Sequence, residues 1–339
     1  MLRFGIIGCG PVGTRHTKNL LRNPKAKVVG FADVNREAAE RLSAEVPGAH
    51  VETDARRLCE RRDMDAVVVA VPNNAYRQVI PVAAECGKHV FSEKPMGMSS
   101  AEARDIVAAC RQAGVKLMIG YCLRFYGYLR RAMEIVHSGE LGRPVIWREF
   151  NTNDGPTRAW YYERARGGGP FIDEVIHRYD LGRAMFGEPV AVQASLLNLR
   201  HKGDAFDTGN VVIRFEKGDQ FWTQNSWGAV TRPLGVLAPN FMGPKGYLSL
   251  HHGGGARRVE PYGQSHLLKL HRGKGEPELI EVEPNDAYYD EVDHFIACVL
   301  EGREPVPSGP DAIRALEVAE AVLRAGESRQ TVELVSLRS

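Results

Sequence analysis

Six residues near the amino terminus, Gly8-Cys9-Gly10-Pro11-Val12-Gly13, place three glycines at the first, third and sixth positions. An apolar run from Leu2 to Ile7 leads directly into them, and a helical pattern leaves them. The spacing alone says little, but a strand feeding such a turn and a helix leaving it give it chemical meaning. In that setting the first glycine permits a tight turn, the second lets backbone approach a pyrophosphate, and the third lets helix pack on strand. The helix N-terminus meanwhile offers N–H groups to the anion. Asp33 ends the next apolar run, where a carboxylate can accept both hydrogen bonds of an adenosine ribose diol. A carboxylate there repels a 2′-phosphate, so NAD is expected ahead of NADP, with Arg36 close enough in sequence to soften the preference.

Two further groups of residues can do chemistry. Glu93-Lys94-Pro95 follows the apolar run His89 to Phe91, which puts a lysine at the carboxyl end of a strand, where open α/β sheets gather their ligands. Gly167-Gly168-Gly169-Pro170-Phe171-Ile172-Asp173 leads into a helix on which Asp173 and His177, four residues apart, share a face. Taken alone, a pair at that spacing is more often a helix-end charge and a satisfied histidine than a catalytic site.

The elements that must position these groups follow from the apolar pattern. Expected strands at Leu2 to Ile7, Ala26 to Ala32, Ala66 to Val71, His89 to Phe91 and Lys116 to Ile119 alternate with helices, the signature of βαβ units and a parallel sheet. Ser99 and Glu102 form a capping-box pattern, and Gly114 marks that helix's end. Beyond Tyr121 the texture changes. A helix over Tyr128 to His137, closed by Gly139, precedes long strands at Pro144 to Phe150, Val190 to Leu199 and Val211 to Phe215, with a hairpin turn at Lys217-Gly218-Asp219. Near the carboxyl end two helical stripes stand out, Val292, Phe295, Ile296 and Val299, then Ile313, Leu316, Ala319 and Leu323. Two domains are expected, 1–122 and 123–339.

Composition excludes several classes. The 339 residues are 43% hydrophobic and 25% charged with a formal charge of +2, which gives neither disorder nor a nucleic-acid footprint. No apolar run is long enough for a membrane helix, and Met1-Leu2-Arg3-Phe4 runs into a strand pattern instead of a signal peptide, so a cytoplasmic protein is expected. The six cysteines are scattered without a CxxC pair, so reduced thiols are expected. No HExxH motif occurs and the adjacent His251 and His252 do not suggest a metal, so none is expected.

Together these motifs resemble the Gfo/Idh/MocA family of oxidoreductases, grouped around glucose-fructose oxidoreductase and inositol dehydrogenase. The resemblance covers nearly the whole chain. It rests on Gly8 to Gly13 with His16, on Pro72-Asn73, and on Gly87-Lys88-His89-Val90 running into Glu93-Lys94-Pro95. It continues through Gly120 with Arg124-Phe125, Gly139-Glu140-Leu141-Gly142, Gly168 to Asp180, and Asp311 to Ala321. It implies an α/β architecture: a Rossmann dinucleotide-binding domain, then an α+β domain for substrate and oligomerisation with a large open, predominantly antiparallel sheet. It further implies a bound nicotinamide cofactor, contacted by Gly8, Gly10, Pro11, Val12, Gly13, Asp33, Pro72, Asn73, Glu93 and Lys94, and a catalytic group of Lys94, Asp173 and His177. The chain departs from the family pattern at Tyr76, where histidine is frequent, and at Val175, where a small residue is usual.

Such a trio suits alcohol oxidation, because hydride leaves a carbinol carbon only as the hydroxyl proton is removed. His177 is the natural base near neutral pH. Asp173 either orients the imidazole or binds a substrate hydroxyl, and Lys94 donates to the substrate oxygen. Arg124, Trp160 and Tyr161 are candidate pocket residues. The expected substrate is a secondary hydroxyl of a cyclic polyol, sugar or sugar derivative, as in inositol dehydrogenases. An NAD-retaining glycoside hydrolase that oxidises its substrate transiently, and a non-catalytic cofactor-binding regulator, are the competing functions. A homodimer or homotetramer is expected, because apolar surface around Phe221, Trp222 and Trp227 needs a cover.

Overall fold

The computed structural model describes residues 1–200, 202–228, 237–251, 258–259, 263–264 and 266–334; His252 lies outside them. By contact the chain forms two compact units, Met1–Cys122 with Ala287–Leu316, and Leu123–Asp286 with Glu317–Ser339. The first boundary falls at Cys122, but 287–316, expected in the second domain, belongs to the first unit.

In the first unit, strands β1 (Leu2–Ile7), β2 (Ala26–Ala32), β3 (His50–Glu52), β4 (Ala66–Val69), β5 (His89–Ser92) and β6 (Leu117–Ile119) alternate with helices α1 (Pro11–Leu21), α2 (Arg36–Ser43), α3 (Ala55–Cys59), α4 (Tyr76–Glu85) and α5 (Ser100–Gln112). Every ladder is parallel and the order is β3-β2-β1-β4-β5-β6, the doubly wound order of dinucleotide-binding sheets. Parallel strands covered on both faces read as unbroken apolar runs, and Ala66, Val67, Val68 and Val69 of β4 are all fully buried. The segment 287–316 joins this unit for the same reason. Its buried Phe295 meets the rings of Phe4 and Phe91 at 6.2 and 5.8 Å, so the apolar stripe of this later helix is spent covering the parallel sheet. Local signals behave as expected, with one refinement. Ser99 Oγ accepts from Glu102 N, but Glu102 reaches back to Met98 N at 2.9 Å, one residue before the capping serine. Lys88 is buried because its ammonium donates to the carbonyls of Arg61 and Met64, at 2.7 and 2.8 Å.

In the second unit, α6 (Gly127–Ser138) is followed by β7 (Ile146–Thr152), α7 (Pro170–Asp173), α8 (Ile176–Phe186), β8 (Pro189–Leu197), β9 (Thr208–Phe215) and β10 (Gln220–Ser226). After these come β11 (Leu237–Gly243), β12 (Gly246–His251), β13 (Arg258–Val259), β14 (Gly263–Gln264), β15 (His266–Arg272), β16 (Glu278–Val282) and, at the end, β17 (Val332–Glu333). In chain order α9 (Ala287–Leu300), which belongs to the first unit, and α10 (Gly309–Ser328), divided between the units at Leu316, precede β17. Among the described residues nine strands form one sheet, β16-β15-β12-β11-β7-β10-β9-β8-β17, antiparallel except between β7 and β10. Lys217-Gly218-Asp219 turns β9 into β10, with Gly218 at φ +85. One face of the sheet is core: Trp147 lies 4.1 Å from Phe221 and 5.8 Å from Phe241, ring to ring. The expectation that Phe221 and Trp227 are surface residues is therefore corrected, because both point to the inner face and are buried. The pleat alternates, so Trp222 and Phe150 lie on the outer face, 38% and 44% exposed. Among the described residues no helix is long and apolar enough to cross a membrane.

Candidate active-site residues

Strand order reverses between β1 and β4, and ligands of open α/β sheets bind beyond the carboxyl ends of the strands at such a point. The Gly8 to Gly13 segment leaves β1 there, and Pro72 and Asn73 follow β4, Asn73 buried in a short 3-10 turn. Gly8 has φ +96, a conformation that disfavours side chains, and a Cβ at Gly13 would collide with the Gly8 carbonyl oxygen. Loop and helix therefore close on each other only through glycine. A Cβ at Gly10 would meet nothing within 4 Å, so the loop faces open space at the position where backbone must approach a pyrophosphate. Gly10 is also the N-cap of α1 and brings no side chain to that helix end, while Pro11 occupies its first turn and Val12 is 38% exposed. These residues fit a dinucleotide.

Asp33 is half-buried and fastened at both oxygens: Cys9 N donates to Oδ2 at 2.7 Å and Asn35 N to Oδ1 at 2.8 Å. The carboxylate thus braces the glycine loop and stands at the end of β2, where a ribose would be read. Arg36 is exposed and paired with Glu40 at 2.7 Å along its own helix. Burial, reinforced by the charge of Asp33, pushes the Cys9 thiol up to about 12, so it stays neutral beside the loop.

Glu93, expected among the cofactor contacts, has its side chain engaged within the protein. Glu93 is buried, and its Oε1 lies 2.6 Å from His16 Nε2 while Oε2 accepts from Lys94 N at 3.3 Å. Burial alone would raise this carboxyl, but the His16 hydrogen bond and the charges of His16 and Lys94 outweigh it, holding Glu93 below the usual range. Its carboxylate braces the turn that presents half-buried Lys94, whose bond to Pro95 is cis. Glu291 of α9 joins the cluster, its carboxylate within 4.8 Å of the His16 and Glu93 ligand atoms. No motif marks Glu291, and it is far from the other two in the chain.

In the second unit the loop Gly167 to Gly169 packs on the aromatic turn before it. Gly167 N and Gly168 N donate to Glu163 O, and Gly169 N to Tyr161 O, all at 2.9 Å. Asp173, buried, ends α7, and half-buried His177 lies in the first turn of α8. The single regular helix expected to carry both is interrupted at Glu174 and Val175, where Val175 N bonds to the carbonyl of Pro170, one residue beyond the α-helical partner. Arg124, a candidate pocket residue, has its guanidinium in a two-pronged pair with the fully buried Asp180, at 2.7 and 2.6 Å. Trp160 and Tyr161 stack at 3.7 Å and are both half-buried. The inner face of the sheet becomes polar toward this end. Phe221 opposite Trp147 gives way to Thr223 opposite Glu149, then to Asn225 opposite Asn151. Arg178 of α8 bonds to Glu149 at 2.7 Å, and both are nearly buried. Motif reading missed Glu174, which accepts from Asn151, Asn225 and Trp227.

Comparison with known proteins agrees with this geometry. Residues 2–121 match the oxidoreductase family, NAD-binding Rossmann fold, and residues 129–248 match the GFO/IDH/MocA C-terminal domain. The chain is 30% identical to inositol 2-dehydrogenase of Rhizobium meliloti, over 97% of this chain and 98% of that one. It is 28% identical to scyllo-inositol 2-dehydrogenase (NAD(+)) of Bacillus subtilis, over 98% and 96%. The crystal structure of aldose-aldose oxidoreductase from Caulobacter crescentus superposes with a TM-score of 0.85 at 27% identity, over 98% of this chain and 99% of that one. With both halves of its architecture matched, the chain belongs to the Gfo/Idh/MocA family of oxidoreductases and carries that family's NAD-binding Rossmann fold.

Proposed function

We propose that this protein is an NAD-dependent dehydrogenase acting on a secondary hydroxyl of a cyclic polyol, sugar or sugar derivative, in the manner of an inositol dehydrogenase. The observation that carries the reading is the end-to-end similarity to inositol 2-dehydrogenase, since a shared fold by itself says nothing of substrate. Asp33 supports NAD over NADP, because the one arginine expected to soften that preference is engaged by Glu40. Bound NAD supplies the hydride acceptor, held by the backbone of Gly8 to Gly13, by Asp33 at the ribose and by the Pro72-Asn73 turn.

His177 takes the proton of the reacting hydroxyl, the role an imidazole commonly serves near neutral pH. Asp173 orients that imidazole or accepts from a neighbouring substrate hydroxyl. Lys94 donates to the reacting oxygen, and Trp160 offers an apolar ring face to the sugar. Arg124, oriented by its pair with Asp180, is proposed as a further residue of the substrate pocket. The working form is proposed to be a cytoplasmic homodimer or homotetramer, with Phe150 and Trp222 on the outer sheet face as the apolar surface that association would cover.

The test is a panel of inositols, aldoses, anhydrosugars and sugar nucleotides incubated with purified protein and NAD, read as NADH absorbance at about 340 nm. Net NADH with a polyol or sugar is the expected result. Bond cleavage without net NADH would replace the reading with redox-assisted hydrolysis, and NAD binding with no turnover across the panel would overturn catalysis.

A further inference from the structure

We propose that Glu174 is a positioning residue, whose carboxylate clamps the interrupted turn after Asp173 to the sheet and to the Trp227 aromatic cluster, and so fixes Asp173 and His177. The proposal rests on the functional reading above and adds to it a residue that no motif marks.

Glu174 sits in the break between α7 and α8, which the Val175 N to Pro170 O bond spans in the backbone. Its side chain adds a second restraint, to the sheet. Oε1 accepts from Asn151 Nδ2 at 2.6 Å and Asn153 Nδ2 at 3.4 Å, while Oε2 accepts from Trp227 Nε1 at 2.5 Å and Asn225 Nδ2 at 3.3 Å. Asn151, Asn225 and Trp227 are 5%, 1% and 2% exposed, so without this carboxylate each of these buried donors loses an acceptor. Asn151 and Asn225 are direct partners in the β7–β10 ladder and are themselves bonded at 3.0 Å, so the two strands present their amides to Glu174 as one unit.

Trp227 carries the restraint further. Its ring meets Tyr161 and Tyr162 edge-on at 6.1 and 5.5 Å, and Tyr161 stacks on Trp160. The Tyr161 carbonyl accepts from Gly169 N, one residue before α7, so the contacts form a ring that starts and ends on the segment bearing Asp173. Arg178, held by Glu149, also reaches the Glu174 carbonyl at 3.5 Å. An indole N–H can only donate, which makes the Trp227 bond a specific demand for an oxygen at this place.

The experiment compares Glu174→Ala, Glu174→Gln and Trp227→Phe in the full-length protein, with His177→Ala run in parallel. It reads NAD affinity, kcat and KM on the best substrate found, tryptophan emission and near-UV circular dichroism. Glu174→Ala should lower kcat about 10- to 100-fold, the scale of a displaced reacting geometry, with NAD affinity unchanged within roughly threefold. It should also alter the Trp227 spectral signature. Glu174→Gln should recover part of both, because its carbonyl can still accept from Trp227, and Trp227→Phe should lower kcat less than Glu174→Ala. Unchanged kcat and spectra in a folded Glu174→Ala overturn the proposal, as does a parallel fall in kcat and NAD affinity, which marks a merely structural role. If Glu174→Ala does not fold, unaltered kcat and spectra in Glu174→Gln together with unaltered kcat in Trp227→Phe overturn it equally. Full activity in His177→Ala overturns the functional reading instead and the positioning role with it, while the spectra still decide whether the clamp exists.

Discussion

In the first unit the expected nucleotide end is made largely of backbone, a glycine turn, a helix start and the end of a strand, with the Asp33 side chain beside it and bonded to Cys9 N. In the second unit Asp173 and His177 are side chains on either side of an interrupted turn, and the Glu174 carboxylate in that turn accepts from side chains of β7, β10 and Trp227. A backbone site tolerates change in its surroundings as long as its glycines remain, because the chain path itself makes the donors. A side-chain site is only as well defined as the groups behind it, and those groups come from distant parts of the chain.

The sharpest way to break the comparison is to remove the proposed reacting group from either unit. Lys94→Ala and His177→Ala should each cost about 100- to 10,000-fold in turnover while leaving NAD affinity within a few-fold, as stopped-time NADH assays and calorimetry would show. A large loss of NAD affinity in His177→Ala would mean that the division of labour drawn here is wrong. Asp33→Ser comes next. Loss of a charged acceptor at the ribose, together with the brace on Cys9, should weaken NAD about 10- to 100-fold while sparing NADP, measured by paired titrations.

Gly13→Ala tests the backbone side directly. A methyl group there meets the Gly8 carbonyl, so the loop must open, at a cost of about 1–3 kcal/mol in stability read by denaturant melts. NAD binding should fall as well. An unshifted melt with unchanged NAD binding would show that the loop is not held as tightly as the contact demands.

The smallest effect lies at the opposite end of the parallel sheet. Arg3 donates to both carboxylate oxygens of Asp65, and that hydrogen bond is the main cause that holds Asp65 below its ordinary value of 3.8, against a smaller opposing effect of burial. A carboxyl depressed in the folded state stabilises the protein above its unfolded value and loses that contribution as pH falls through the folded one. Asp65→Asn should therefore melt slightly below the parent at neutral pH. The gap should close as pH drops below about 3.8. A gap that persists at lower pH would assign the effect to packing.

Much of this could be read along the chain. The all-parallel sheet announced itself because strands buried on both faces are unbroken apolar runs, and the glycine motif because its spacing follows from the turn it makes. The carboxyl-terminal stripe at Val292, Phe295 and Ile296 was recognisable as a core-facing helix, but nothing in its period says which sheet it covers, and it covers the parallel one. Phe221 and Trp227 were misread as surface for a related reason. Adjacent residues on a strand face opposite ways, and only the pairing of β7 with β10 decides which face is inner.

What the sequence determined by itself is the nucleotide-binding end, since its groups are contiguous and their geometry is a property of local backbone: Gly8 to Gly13 on one turn, Asp33 at the close of the next strand. Tertiary structure alone decided how side chains are spent. It turned Glu93 inward to His16, tied Arg124 to Asp180, and gathered Asn151, Asn225 and Trp227 around Glu174. A side chain's partner depends on which strands lie side by side, and hydrogen bonds and charges reach only a few ångströms in space, whatever the separation along the chain.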